Sequence, residues 1–72
     1  MDLTFVEIGK EYKVDKIKTS DDELNSFLFS LGCYSGEPIT VISKRKSGMV
    51  VAIKNARYSI DIQLARAITV KV

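Results

Sequence analysis

The sequence predicts a mainly β protein, a small closed barrel of five short strands carrying one α-helix. Three observations point there. Much of the chain reads as short strand-like runs separated by tight-turn signals, with apolar and polar residues alternating in EYKV and most cleanly in ITVKV. One segment alone, near residues 21–31, has the 3.6-residue period of a helix. Closure into a barrel would hide the strand edges that so short a sheet otherwise exposes.

The elements follow in order. Residues 3–8, LTFVEI, read as a short strand or an apolar lead-in, and Gly9 permits a turn after them. In EYKVDKIK, residues 11–18, Tyr12 and Val14 share one face. Ile17 breaks that register, so a bulge is expected near Asp15–Lys16. Ser20-Asp21-Asp22-Glu23 reads as a capping box with Ser20 at the N-cap, its acidic first turn matching the positive end of the helix dipole. Leu24, Phe27, Leu28 and Leu31 then form one apolar helical face, and Gly32 is placed to end the helix in the left-handed conformation. Beyond Gly36 come a strand in 39–46, a turn at Ser47-Gly48, and a strand in 49–54 with Met49, Val51 and Ile53 on one face. A second turn at Asn55-Ala56 leads into RYSI. DIQLARA, 61–67, supplies a single helical turn, and ITVKV, 68–72, points Ile68, Val70 and Val72 inward. Five such strands with one helix over an opening make an SH3-like barrel, a single domain over residues 1–72.

Composition narrows the function. Seventy-two residues hold one core, and folding buries only roughly 60% of the unfolded chain's surface at this size. The hydrophobic fraction of 46% suits a globular domain, and a net charge of +2 does not by itself make a polyanion-binding surface. One cysteine, Cys33, excludes an internal disulfide. With no signal-peptide pattern and no apolar run near the roughly 20 residues of a membrane span, a cytosolic location is expected. Histidine is absent, which removes the commonest general base and transition-metal ligand, and Cys33 with scattered carboxylates is a poor metal set. No phosphate-binding loop, GxGxxG, CxxC or HExxH occurs, so neither an enzyme nor a tight metal or cofactor site within one chain is expected.

Three features bear on binding. Phe29 falls about 150° from the centre of the helix's apolar face at roughly 100° per residue, so either residues 3–8 cover it or it is an exposed anchor. Cys33 and Tyr34 follow directly at the helix-to-strand turn; a lone cysteine is more often buried than reactive. We expect Phe29, Cys33 and Tyr34 to line an apolar partner-binding groove. Lys44-Arg45-Lys46, near Lys54, reads as a solvated hairpin tip or as a contact for an acidic partner or a nucleic-acid backbone, with Tyr12, Tyr34 and Tyr58 available to stack on bases.

LFSLGCYSGEPITVI, residues 28–42, resembles the LxxLGhxxGxxIxVh element of the FeoA family, the small SH3-like cytosolic proteins of bacterial ferrous iron uptake. ARYSIDIQLARAITVKV is similar to that family's ending, and Leu3 to Val14 with Gly9 to its LxxLxxGxxxxV start. Two departures stand out: the Ser47-Gly48 hairpin is shorter than the family's loop with Pro and Gly, and Asp61 occupies a position that is often basic. The resemblance implies an accessory, regulatory interaction module acting on the cytosolic side of FeoB, a membrane GTPase and iron permease, as a monomer or weak homo-oligomer. The alternative reading is the SH3-like regulatory domain of iron-dependent repressors, whose DNA-binding domain this sequence lacks. A small-barrel nucleic-acid binder is the third reading.

Overall fold

A computed structural model describes residues 1–71. The chain runs β1 (Glu11–Ile17), α1 (Asp22–Ser30), β2 (Pro38–Lys44), β3 (Gly48–Ile53), β4 (Ala56–Asp61), α2 (Ile62–Ala67) and β5 (Ile68–Lys71). All five strands join one antiparallel sheet in the order β4-β3-β2-β1-β5. The mainly β, five-stranded architecture with a helical turn before the last strand is the expected one.

Closure is the main difference. β4 and β5 stand at opposite ends of the sheet order, and α2 connects them without a hydrogen-bonded ladder between them. Among the described residues the sheet does not close. Asp61 caps α2, its Oδ1 accepting from the Leu64 amide at 2.7 Å. The departure from a basic residue at this position thus has a local structural use.

The expected inward residues Tyr12 and Val14, Met49, Val51 and Ile53, and Ile68 and Val70 are all buried, and Ile39, Val41 and Ile60 join them. The expectation for Val72 lies outside the described residues. The β1–β5 register shifts between Val14 and Lys16, which is the expected bulge at Asp15. Thr69 repairs the ladder there: its hydroxyl donates to the Lys16 carbonyl at 2.9 Å and accepts from the Lys16 amide at 3.2 Å. Gly48 is obligatory at the start of β3, because a Cβ would lie 2.2 Å from the Ile60 carbonyl oxygen.

Residues 3–8 form a lead-in rather than a strand. Asp2 bridges to Thr69, and Leu3 and Val6 are buried while Phe5 and Ile8 are exposed. Lys44 holds this segment in place, its Nζ donating to the carbonyls of Thr4 at 3.2 Å and Val6 at 2.6 Å. Part of the basic hairpin run is therefore an intramolecular clamp.

Three local expectations shift. The N-cap of α1 is Asp21 and not Ser20: the Asp21 carboxylate accepts from the amides of Glu23 at 3.0 Å and Leu24 at 3.2 Å. Aspartate caps as well as serine does, and starting one residue later moves Glu23 out of the capping-box position. The second hairpin turns at Lys54-Asn55, with Lys54 at φ 56° and Ala56 already in β4. The four-residue apolar face of α1 shrinks to one fully buried side chain, Leu28. Leu24 and Leu31 are half-buried, and Phe27 is 52% exposed. The helix meets the sheet along a line too narrow to bury a full stripe.

Candidate functional site

The helix-to-strand changeover is built from the end of α1 outward. Leu31 is the C-cap. Gly32 follows at φ 89°, the Gly32 amide donating to the Phe29 carbonyl at 3.0 Å and the Cys33 amide to the Leu28 carbonyl at 2.9 Å. This pair of bonds is a Schellman motif, which requires a residue tolerant of the left-handed region. Four residues after Cys33, the Glu37 amide donates to the Tyr34 carbonyl at 3.0 Å. The Gly36 amide donates to the Val14 carbonyl at 2.8 Å, and the Val14 amide to the Glu37 carbonyl at 2.9 Å. The turn is thereby pinned to β1 at its far end.

This backbone separates the three residues singled out from the sequence. Phe29 is 65% exposed, so residues 3–8 do not cover it. Its ring stacks on Tyr34 with centroids 4.7 Å apart and planes inclined by 30°. Such a pair contributes roughly 0.5–1.5 kcal/mol beyond its area, so the exposed ring is held by its neighbour. Cys33 faces the other way. It is 1% exposed and belongs to the core, where burial pushes its thiol up to about 11. Cys33 therefore does not line the outer surface with Phe29 and Tyr34. It anchors the turn from beneath, its side chain in the core and its amide bonded back to the Leu28 carbonyl.

Two more residues complete the surface, Glu37 and Lys54. Lys54 does not sit beside Lys44-Arg45-Lys46 as expected, because those residues lie at the β2–β3 turn and Lys54 at the opposite end of β3, in the β3–β4 turn. Lys54 extends across Gly32, where an added Cβ would lie 2.6 Å from its Cε. Its Nζ lies 5.8 Å from the centre of the Tyr34 ring and 3.6 Å from Glu37 Oε2. No local pattern places Lys54 beside Tyr34; the β3–β4 hairpin brings it there, and the one trace in the sequence is the absent side chain at Gly32. The result is an aromatic pair bordered by one cation and one carboxylate. Among the described residues, no group of three or more Cys, Asp or Glu side chains stands close enough together to hold a metal ion.

A family model for the FeoA domain matches residues 1–72. The chain belongs to the FeoA family. The family is associated with ferrous iron transport, and the resemblance at residues 28–42 is thereby confirmed. No curated protein sequence matches the chain.

Solved structures with the same fold are numerous. A FeoA described as an iron uptake regulatory protein has a TM-score of 0.86 at 22% identity, over 99% of this chain and 95% of its own. FeoA of Stenotrophomonas maltophilia, crystallised with zinc and described as a prokaryotic SH3 domain protein, has a TM-score of 0.85 at 20% identity, over 99% and 89%. A manganese-dependent transcriptional repressor has a TM-score of 0.83 at 23% identity, with 94% of this chain covering 39% of that one. The TM-scores establish the SH3-like fold, and at these identities the likeness shows the fold alone, which does not carry function.

Proposed function

We propose that this FeoA-family chain is the accessory, regulatory interaction module of a bacterial ferrous iron uptake system. It acts in the cytoplasm, docking the Phe29–Tyr34 surface on the cytosolic part of a FeoB-like membrane GTPase and permease. Cys33 contributes from below by fixing the turn. The observation that carries this reading is the exposure of Phe29, 65% of a large aromatic at the end of α1, stacked on Tyr34 of a turn held by backbone hydrogen bonds. Exposed aromatics in a pre-ordered setting are the usual anchors of protein interfaces. No helix among the described residues is long and apolar enough to cross a membrane. Recruitment to the inner face through the partner is consistent with that.

The test is Phe29→Ala, measured in a thermal melt and in binding to the purified cytosolic part of the transporter. The variant should melt as the parent does and bind about 30-fold more weakly, the equivalent of roughly 2 kcal/mol. Undiminished binding would remove Phe29 from the interface.

The likeness to a manganese-dependent repressor favours a second reading, a regulatory domain that works on metal-dependent transcription in trans. Copurification with a repressor chain in place of the transporter, with binding equally sensitive to Phe29→Ala, would select it.

A further inference from the structure

The two ends of the sheet are treated differently. The outer edge of β5 is covered: Asp2 bridges to Thr69, the Val70 amide donates to the Met1 carbonyl at 2.7 Å, and the Leu3 amide donates to the Ile68 carbonyl at 3.2 Å. β5 is also only four residues long and pairs with β1 across a bulge. β4 has none of these protections. It is six residues long, its register with β3 runs unbroken from Gly48↔Asp61 to Ile53↔Ala56, it contains no proline, and no other described strand pairs with it.

The orientation of its free backbone groups follows from one hydrogen bond. The Arg45 amide donates to the Gly48 carbonyl at 2.8 Å, so Gly48 directs its backbone groups toward β2. With period 2, Val50 and Ala52 do the same. Their β4 partners Asp61, Ser59 and Arg57 therefore occupy non-hydrogen-bonded positions opposite β3, with their amide groups turned to the open edge. The side chains of all three are exposed.

We infer that β4 pairs edge to edge, antiparallel, with β4 of a second copy of this chain about a two-fold axis at Ser59. The charges select this partner and this register. Arg57 and Asp61 lie two residues either side of Ser59, so the axis sets Arg57 of each copy opposite Asp61 of the other. Ser59 meets Ser59. Opposite charges directly across an antiparallel pair are stabilising. The same register makes the outward positions of the two strands hydrogen-bonded pairs, as a continued ladder requires. A two-fold interface is self-complementary in this way, whereas a strand from another protein has no reason to carry the inverse charge order. This pairing is independent of the Phe29–Tyr34 reading.

Sedimentation equilibrium on the whole chain up to about 1 mM, where small interfaces become populated, should show a monomer–dimer equilibrium. Ser59→Pro removes an outward amide without touching the β3 ladder, so it should melt like the parent and weaken the dimer at least about tenfold. Arg57→Glu and Asp61→Lys should each weaken self-association, and a mixture of the two variants should dimerise better than either alone, because each then faces its opposite. If Asp61→Lys loses its fold with its helix cap, Ser59→Pro and Arg57→Glu still decide. The Arg57 and Ser59 amides should exchange freely with solvent when dilute and slow as concentration rises. A chain that stays monomeric at about 1 mM overturns the proposal, as does a dimer indifferent to Ser59→Pro. Slow exchange at these amides only when the transporter's cytosolic part is added would assign the edge to that partner instead, and overturn it too.

Discussion

The sheet and helix α1 bury their apolar residues very unequally. Met49, Val51 and Ile53 in β3, Ile39 and Val41 in β2, and Tyr12 and Val14 in β1 are all enclosed at alternate positions. Of the nine residues of α1, only Leu28 is, although three leucines and two phenylalanines fall between residues 24 and 31. The sheet is a structure that faces inward; the helix is one held by a single deep contact, with both its aromatic rings outside. A helix so mounted is well suited to presenting side chains and badly suited to stabilising a core.

The largest expected effect tests that single contact. Leu28→Ala should cost about 2–5 kcal/mol in chemical denaturation, a large part of what a domain of this size possesses. Phe27→Ala, one residue away in the same supposed stripe, should stay within about 0.5 kcal/mol of the parent because the ring is already half in water. Equal costs for the two would mean that the helix packs by its whole apolar face, and the contrast with the sheet would fail.

Next in size is a pH effect on the inner side of the turn. Burial raises the Cys33 thiol from an ordinary value of 9.0 to about 11, so the folded protein holds that proton more tightly than the unfolded chain does. The sign follows: the associated stability is fully present below about 9 and is lost as pH climbs from there to about 11. A shift of that size corresponds to about 2–3 kcal/mol. Urea titrations at pH 8 and pH 11 should show the loss in the parent, and a smaller loss in Cys33→Ala. Identical pH profiles would mean that the thiol is not enclosed with the core.

Much of this was legible in the sequence because period 2 is a direct record of burial on a sheet. Tyr12–Val14 and Met49–Val51–Ile53 announce their inward face, and Ile17 out of step announces the Asp15 bulge. The helix was harder. Its 3.6-residue period says which residues share a side but not how wide the supporting surface is, so Phe27 was counted as core although the sheet reaches only Leu28. The contact surface was legible in part. Phe29 lies off the apolar stripe, and its neighbour Tyr34 follows two residues after the helix-ending Gly32. That Cys33 points inward depends on the φ of Gly32, and that Lys54 arrives from the next hairpin depends on strand register; neither leaves a local pattern. Open β4 was missed because closure was inferred from the general disadvantage of free edges, which the chain offsets at β5 alone.

A smaller effect is expected at Gly32. Placing Ala in the left-handed region costs about 1–2 kcal/mol, and the new Cβ also displaces the end of the Lys54 side chain. A flexible side chain yields easily, so nearly all of the loss should persist when Gly32→Ala is combined with Lys54→Ala. Strong coupling between the two in a double-mutant cycle would show instead that the Lys54 stem is packed as rigidly as a core residue.

The smallest effect belongs to Lys54 alone, and it tests how far the outer surface depends on charge. Its ammonium group approaches both Glu37, at 3.6 Å, and the Tyr34 ring, at 5.8 Å, but more than half of the side chain lies in water. Exposed ion pairs contribute about 0–1 kcal/mol and are screened by salt, and exposed cation–π contacts contribute about as little. Lys54→Ala should therefore lower stability by under about 1 kcal/mol, with the difference fading as salt is raised. Phe29 should remain stacked on Tyr34, since that contact is made ring to ring and the turn beneath it is fixed by backbone bonds. Nuclear Overhauser contacts between the two rings should persist in the variant. If they vanish, the cation orders the aromatic pair, and the outer surface is an electrostatic assembly; if they remain, the rigidity of that surface comes from the same Gly32 turn that seals Cys33 into the core.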